Sequence, residues 1–173
     1  VFNRYLKNGG VLLQGHHLND QAETVLMRLF KGLGPESLKG IPKKRAISNG
    51  LLFRPWLNLP RDVIRSNAEK YGLSWVEDES NQDQRFDRNF IRHEVTPKLV
   101  ARWPSFPDSV TRSAQLCAEQ ELLLDELLVP KFNQALGHYH SLKIESLSEC
   151  SSLMRARSPS VRPGAPVGKG MAE

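Results

Sequence analysis

The feature that most constrains this chain is a change of hydrophobic period close to its beginning. Residues 11–14 form a short apolar run behind the turn Asn8-Gly9-Gly10, the pattern of a buried strand. Directly after it, Ala22, Val25, Leu26, Leu29 and Phe30 recur at helical spacing. A helix is therefore expected to open near Asn19 or Asp20 and to stop at Gly32, where a left-handed backbone costs glycine little. The rhythm then repeats. A strand at 51–54 is followed by a helix from Pro60 to Gly72, with Val63, Ile64 and Tyr71 toward the core, and by a strand at 73–76. Strand, helix, strand, helix, strand predicts an α/β fold with a parallel sheet.

From Asp87 onward the pattern is helical. A long helix is expected over residues 108–129, with Leu116, Leu123, Leu124, Leu127 and Leu128 as its apolar stripe. Residues 158–170 contain three prolines, three glycines and no large apolar side chain beyond two valines. Such a stretch buries too little surface to offset its ordering entropy, so disorder is expected there. Val1 in place of Met, shortly before the first strand, leads us to expect a chain cut from a longer one.

Composition removes several classes. Cys117 and Cys150 have no CxxC spacing and no histidine cluster beside them, against a zinc site or disulfide scaffold and in keeping with a reducing cytoplasm. No apolar run approaches the roughly 20 residues of a membrane span. The net charge of +5 is unevenly spread. Residues 39–65 hold seven basic side chains against Asp62, whereas residues 113–150 are net acidic. The basic stretch suits a phosphate backbone and equally a solvated loop.

Chemistry gathers in two places. The first is Gly15-His16-His17-Leu18-Asn19-Asp20-Gln21-Ala22-Glu23-Thr24, where a strand hands over to a helix. Open α/β sheets place ligands at such junctions, and a helix N-terminus suits phosphate or carboxylate. Asp20 and Glu23, three apart, also fit a capping box. The second is Trp75 to Asn81, then Asp83, Phe86, Arg88, Asn89 and Arg92. Arg88 and Arg92 are four apart and share a helix face, either for recognition of an anion or for pairing with neighbours such as Asp87.

In order and spacing, HHLNDQAET, KGLGPESLKGI, FRPWL and WVEDESNQDQRFDRNFIRHEVTPKL closely resemble the tRNA(Ile)-lysidine synthetases, which are N-type ATP pyrophosphatases. The resemblance runs from Val11 to Leu128 and weakly on to Leu153. It implies the carboxyl-side part of a Rossmann-like (HUP-type) catalytic domain over 1–100, the start of a helical tRNA-binding domain over 101–156, and a non-family tail over 157–173. It implies ATP with Mg²⁺, free L-lysine, and tRNA(Ile) with a CAU anticodon. In that family the C2 oxygen of the wobble cytidine is adenylated, the lysine amine attacks C2, and AMP leaves, and the resemblance implies the same here. By the same resemblance Asp20 and Glu23 orient the lysine ammonium group with Arg88 beside them, while His17, Asn89 and Arg92 line the nucleotide side.

Two departures stand out. Asn19 replaces the first of two adjacent acids usual in the family, keeping a capping role and losing a charge. The SGGxDS loop that wraps the ATP pyrophosphate is absent from the sequence, as is any GxxxxGK[ST] run, so the chain by itself is expected to be inactive. The alternatives are another enzyme of the superfamily, such as a tRNA thiolase, or a non-catalytic RNA-binding module using residues 39–65.

Overall fold

A computed structural model describes residue 6, residues 9–47 and residues 50–135. The sheet has three strands: β1 (Val11–Leu13), β2 (Lys44–Ile47) and β3 (Gly50–Phe53), in the order β1-β3-β2. β3 is central. It runs parallel to β1, with Leu12 opposite Leu52, and antiparallel to β2, with Arg45 opposite Leu52. Leu52 is accordingly almost fully buried. At the start of β3 the Gly10 carbonyl accepts the Leu51 N–H at 2.9 Å, and a Cβ at Gly50 would collide with that carbonyl.

Helix α1 (Leu18–Phe30) links the parallel pair and presents Leu18, Ala22, Val25 and Leu26 to the core. Leu57, Ile91 and Ala114 complete the buried apolar set. Each large apolar side chain so buried contributes about 1.5–3 kcal/mol. The buried face ends at Leu26, because Leu29 and Phe30 are exposed. Gly32, with φ +67°, closes α1 as expected: its N–H reaches the Leu29 carbonyl and the Leu33 N–H reaches that of Arg28.

The loop after α1 carries a short helix, α2 (Pro35–Leu38), and is tied back to α1 by polar side chains. Gln21 exchanges two hydrogen bonds with the Ile41 backbone at 2.6 and 3.1 Å. Arg28 Nη1 donates to the carbonyls of Ser37 and Gly40. Gly40 sits at φ +69°, where a Cβ would run into the Gln21 amide.

After β3 come α3 (Arg61–Lys70), a 3₁₀ turn at Glu79–Gln82, and a helical stretch made of α4 (Asp87–Phe90), a π-helical turn (Ile91–Val95) and α5 (Thr96–Arg102). In the π turn the Thr96 N–H bonds to the Ile91 carbonyl, five residues back. Pro97 explains the widening, since it has no N–H and cannot close a normal turn. α6 (Phe106–Ala135) follows. The contacts divide the chain into two units, Val1–Glu119 and Gln120–Glu173, with the boundary inside α6.

Four expectations are corrected. Residues 73–76 form no strand; Leu73, Trp75 and Val76 are exposed, and no neighbouring strand pairs with them among the described residues. The basic segment contains β2, so the sheet is mixed rather than all-parallel. Val63 of α3 and Tyr71 at its C-cap face outward. The long helix continues past Val129, through Pro130, to Ala135, and Leu116, Leu123 and Leu127 of its expected stripe are exposed. The fold class itself holds: a small sheet with a parallel pair and helices packed on it, followed by helices. The tail at 157–173 lies outside the described residues.

Candidate functional site

The site begins at the β1–α1 junction. His17, not Asn19, is the N-cap of α1. Its ring Nδ1 accepts the Asp20 N–H at 3.4 Å, and Asp20 Oδ2 accepts the His17 N–H at 3.0 Å. The reciprocal box therefore joins His17 to Asp20, and Glu23 takes no part in it. Burial pushes the His17 pKa down, while Asp20 and Glu23 oppose the shift. Asn19 points elsewhere: its Oδ1 accepts the Arg61 N–H at 3.0 Å and so caps α3. The Leu18 N–H donates to Leu59 O at 2.9 Å, which pins α1 to the same segment. With the Leu18 and Asp20 N–H groups engaged, the helix end offers an anion less than its position in the sequence suggests.

The structure brings Asp20, Glu23, Arg88 and Arg92 together as one ionic lattice. Arg88 donates from Nε to Glu23 Oε2 at 3.0 Å and from Nη2 to Asp20 Oδ1 at 2.8 Å. Arg92 donates from Nε to Glu23 Oε1 at 2.8 Å. Its Nη2 reaches Glu23 Oε2 at 2.8 Å and Asp20 Oδ1 at 3.1 Å. Counting the His17 N–H, all four carboxylate oxygens have partners. The bonds to Glu23, the buried neighbour, raise the Arg92 pKa. Glu23 is 2% exposed and Asp20 7%, so each carboxylate depends on these guanidinium groups for solvation. Asp87 is not the partner of either arginine.

Asn89 is buried and holds the preceding loop, its Nδ2 donating to the carbonyls of Ser80 and Asp83 at 2.8 and 2.9 Å. An open cavity of about 400 Å³ lies over the lattice, with Asp20, Arg88, Arg92 and Asn89 on one wall and Gln14, Gly15 and His16 on another. Asp20 is the one carboxylate in this lining; Glu23 and His17 stand behind it. The Gln14 Oε1 is buried without a hydrogen-bond partner. A second cavity of about 400 Å³ shares Arg92 and Asn81, and in it the Arg65 guanidinium lies 5.8 Å from the centre of the Trp75 ring.

Sequence reasoning placed His16 in the first constellation but passed over its partner Arg54, and Gln14. Arg54 is 7% exposed, and donates from Nε to His16 Nδ1 at 3.3 Å and from Nη1 to Pro42 O at 2.6 Å. The available signal was its place at the carboxyl end of a strand, where an α/β sheet gathers its site. Among the described residues no cluster of three or more His, Cys, Asp or Glu is arranged to hold a metal ion, and no helix is long and apolar enough to cross a membrane.

The strand-to-helix junction and its charged lattice lie within residues 1–99, which match the PP-loop domain family. The chain belongs to that family. Among curated proteins it is similar to the tRNA(Ile)-lysidine synthase of Vibrio atlanticus (strain LGP32), 51% identical over 169 residues, covering 91% of this chain and 37% of the relative. The tRNA(Ile)-lysidine synthase of Proteus mirabilis (strain HI4320) is 48% identical over 155 residues, covering 90% and 35%. That of Vibrio campbellii (strain ATCC BAA-1116) is 49% identical over 154 residues, covering 89% and 34%. The chain thus spans about a third of the length of these relatives.

Proposed function

We propose that this chain forms part of a cytoplasmic tRNA(Ile)-lysidine synthetase, a ligase that joins lysine to C2 of the wobble cytidine in a CAU-anticodon isoleucine tRNA. The observation that carries the reading is the Asp20–Glu23–Arg88–Arg92 lattice beneath an open cavity, in a chain about half identical to such synthases. Asp20 is the carboxylate that meets the lysine ammonium group, since it alone of the two faces the cavity. Glu23, sealed behind it, acts as a positioning residue that aims Arg88 and Arg92. Arg88, whose side chain is 36% exposed against 19% for Arg92, is the more exposed of the two cations on the cavity wall.

ATP supplies the adenylyl group that makes the cytidine C2 oxygen a leaving group. Arg88 and Arg92 fit its phosphate or the charge that develops at the reacting centre. Asn89 supports that wall and His17 fixes the turn beneath it. Mg²⁺ would be held chiefly through the nucleotide phosphates, as is common for this ion. Cys117 lies on α6, outside the cavity lining, so among the described residues no cysteine supports a thiolase reading at this site.

The test replaces the matching third of the Vibrio atlanticus relative with this chain. Lysine-dependent AMP release and incorporation of labelled lysine into CAU isoleucine tRNA are then measured. Lysine-dependent turnover is expected. A folded chimera that binds the tRNA and consumes no lysine, beside an active parent, contradicts the reading.

A further inference from the structure

His16 and Arg54 form a half-buried polar contact that the roles assigned above do not use. An arginine Nε carries a hydrogen and can only donate, so the His16 Nδ1 it reaches at 3.3 Å must offer a lone pair. A neutral imidazole with a lone pair on Nδ1 has its proton on Nε2. Arg54 cannot drift from this contact, because it is 7% exposed and its Nη1 is anchored on the Pro42 carbonyl at 2.6 Å. The strand pairing fixes both ends: Arg54 N–H bonds to Lys43 O, and Gln14 N–H to Phe53 O. The far edge of His16 has no partner among the described residues, and the ring lines the same cavity as Asp20 and Arg88.

We propose that Arg54 locks His16 in its Nε2–H tautomer, so that His16 donates a hydrogen bond across the cavity to an anionic oxygen of the bound substrate. The ring remains neutral near pH 7: burial lowers its pKa, and the nearby Arg54 and Arg88 add to that shift while Asp20 opposes it. A neutral donor beside Arg88 suits a carboxylate or phosphate oxygen without adding charge to a lattice already balanced by two acids and two arginines. Two sources supply such an oxygen, the carboxylate of free lysine or the phosphate of an adenylate. This inference rests on the reading of the cavity as the substrate site.

The test has two readouts on the full chain. Long-range proton–nitrogen NMR of the histidine rings should show the His16 proton on Nε2, and Arg54→Lys should let the Nδ1–H form appear. A proton on Nδ1 in the wild type overturns the proposal. L-lysine and AMP are then titrated separately, following the His16 resonance; the ligand that moves it identifies the source of the oxygen. His16→Gln keeps a donor near the Nε2 position and His16→Asn does not. Glutamine should bind that ligand within about threefold of wild type and asparagine about tenfold or more weaker, the range of a hydrogen bond to a charged group. Equal affinity in the two variants, or no His16 response to either ligand, also overturns it. In that last case the chimera's lysine incorporation decides separately whether the cavity is the substrate site.

Discussion

Two regions of the molecule invert the usual rule of burial. At the β1–α1 junction, Asp20 and Glu23 lie inside with Arg92 largely covered. Along α6, Leu122, Leu123 and Leu127 lie outside, between 56 and 63% exposed. Residue type does not explain the difference; neighbours do. Glu23 sits within one turn of Ala22, Val25 and Leu26 on a helix packed against a sheet, so its burial is imposed by the fold and its charge is met by two guanidinium groups. The second unit, as far as it is described, is a single helical segment, which has no second element in that unit to cover its leucines. A buried charged group costs desolvation that its partners must offset, whereas an exposed leucine contributes little to stability where it stands.

The largest expected effect comes from breaking the first region. Glu23→Leu removes the acceptors of both arginine Nε groups and leaves two guanidinium groups facing a carboxylate too few. Removing one partner of a buried network costs about 3–5 kcal/mol, with the lower end expected because Arg88 is partly exposed. Urea unfolding of the chain measures this, and a loss under about 1 kcal/mol would show the lattice to be solvated. Glu23→Gln retains the shape and some hydrogen bonds and should fall between the two.

An intermediate effect is expected from pH. His16 and His17 both have lowered pKa values, chiefly through burial. The unfolded chain therefore binds more protons than the folded chain in the window below the ordinary histidine value of about 6.5 and above the lowered folded values. Stability should fall as pH drops through that window and level off, for these groups, below it. Thermal melting between about pH 7.5 and 5.5 follows it, and His16→Gln should flatten the slope. A melting temperature that rises on acidification contradicts the assignment. The smallest effect belongs to the second region. Leu123→Ser on α6 should change stability by about 0.5 kcal/mol or less. A loss above about 1 kcal/mol would mean that the leucine face is covered in solution.

The part of the fold that was legible in the sequence is the part where one helix packs on one sheet. β1 and β3 were read from short apolar runs, α1 from its helical period and its stop from Gly32, although Val11 and Leu13 of the run read as buried are exposed. β2 escaped because Lys44 and Arg45 read as loop, yet charged residues are the normal dress of an edge strand. The false strand at 73–76 shows the reverse: Leu73, Trp75 and Val76 have strand-forming side chains and no surface to pack on. At the site, spacing put Arg88 and Arg92 on one face and Asp20 and Glu23 in one turn, but it could not pair the two sets across 65 or more positions. The pairing of His16 with Arg54, 38 positions away, was hidden for the same reason.

The central claim is that the lattice serves chemistry rather than folding alone, and Arg88 tests it most directly. Arg88→Lys in the chimera preserves the charge but loses the fork that spans Asp20 and Glu23. Lysine incorporation and thermal melting are measured on the same preparation. The account predicts that turnover falls by about tenfold to a hundredfold, the worth of one charged hydrogen bond or two, while melting barely shifts. Undiminished turnover, or a fall in melting large enough to account for the lost activity, would contradict it and leave Arg88 a structural residue.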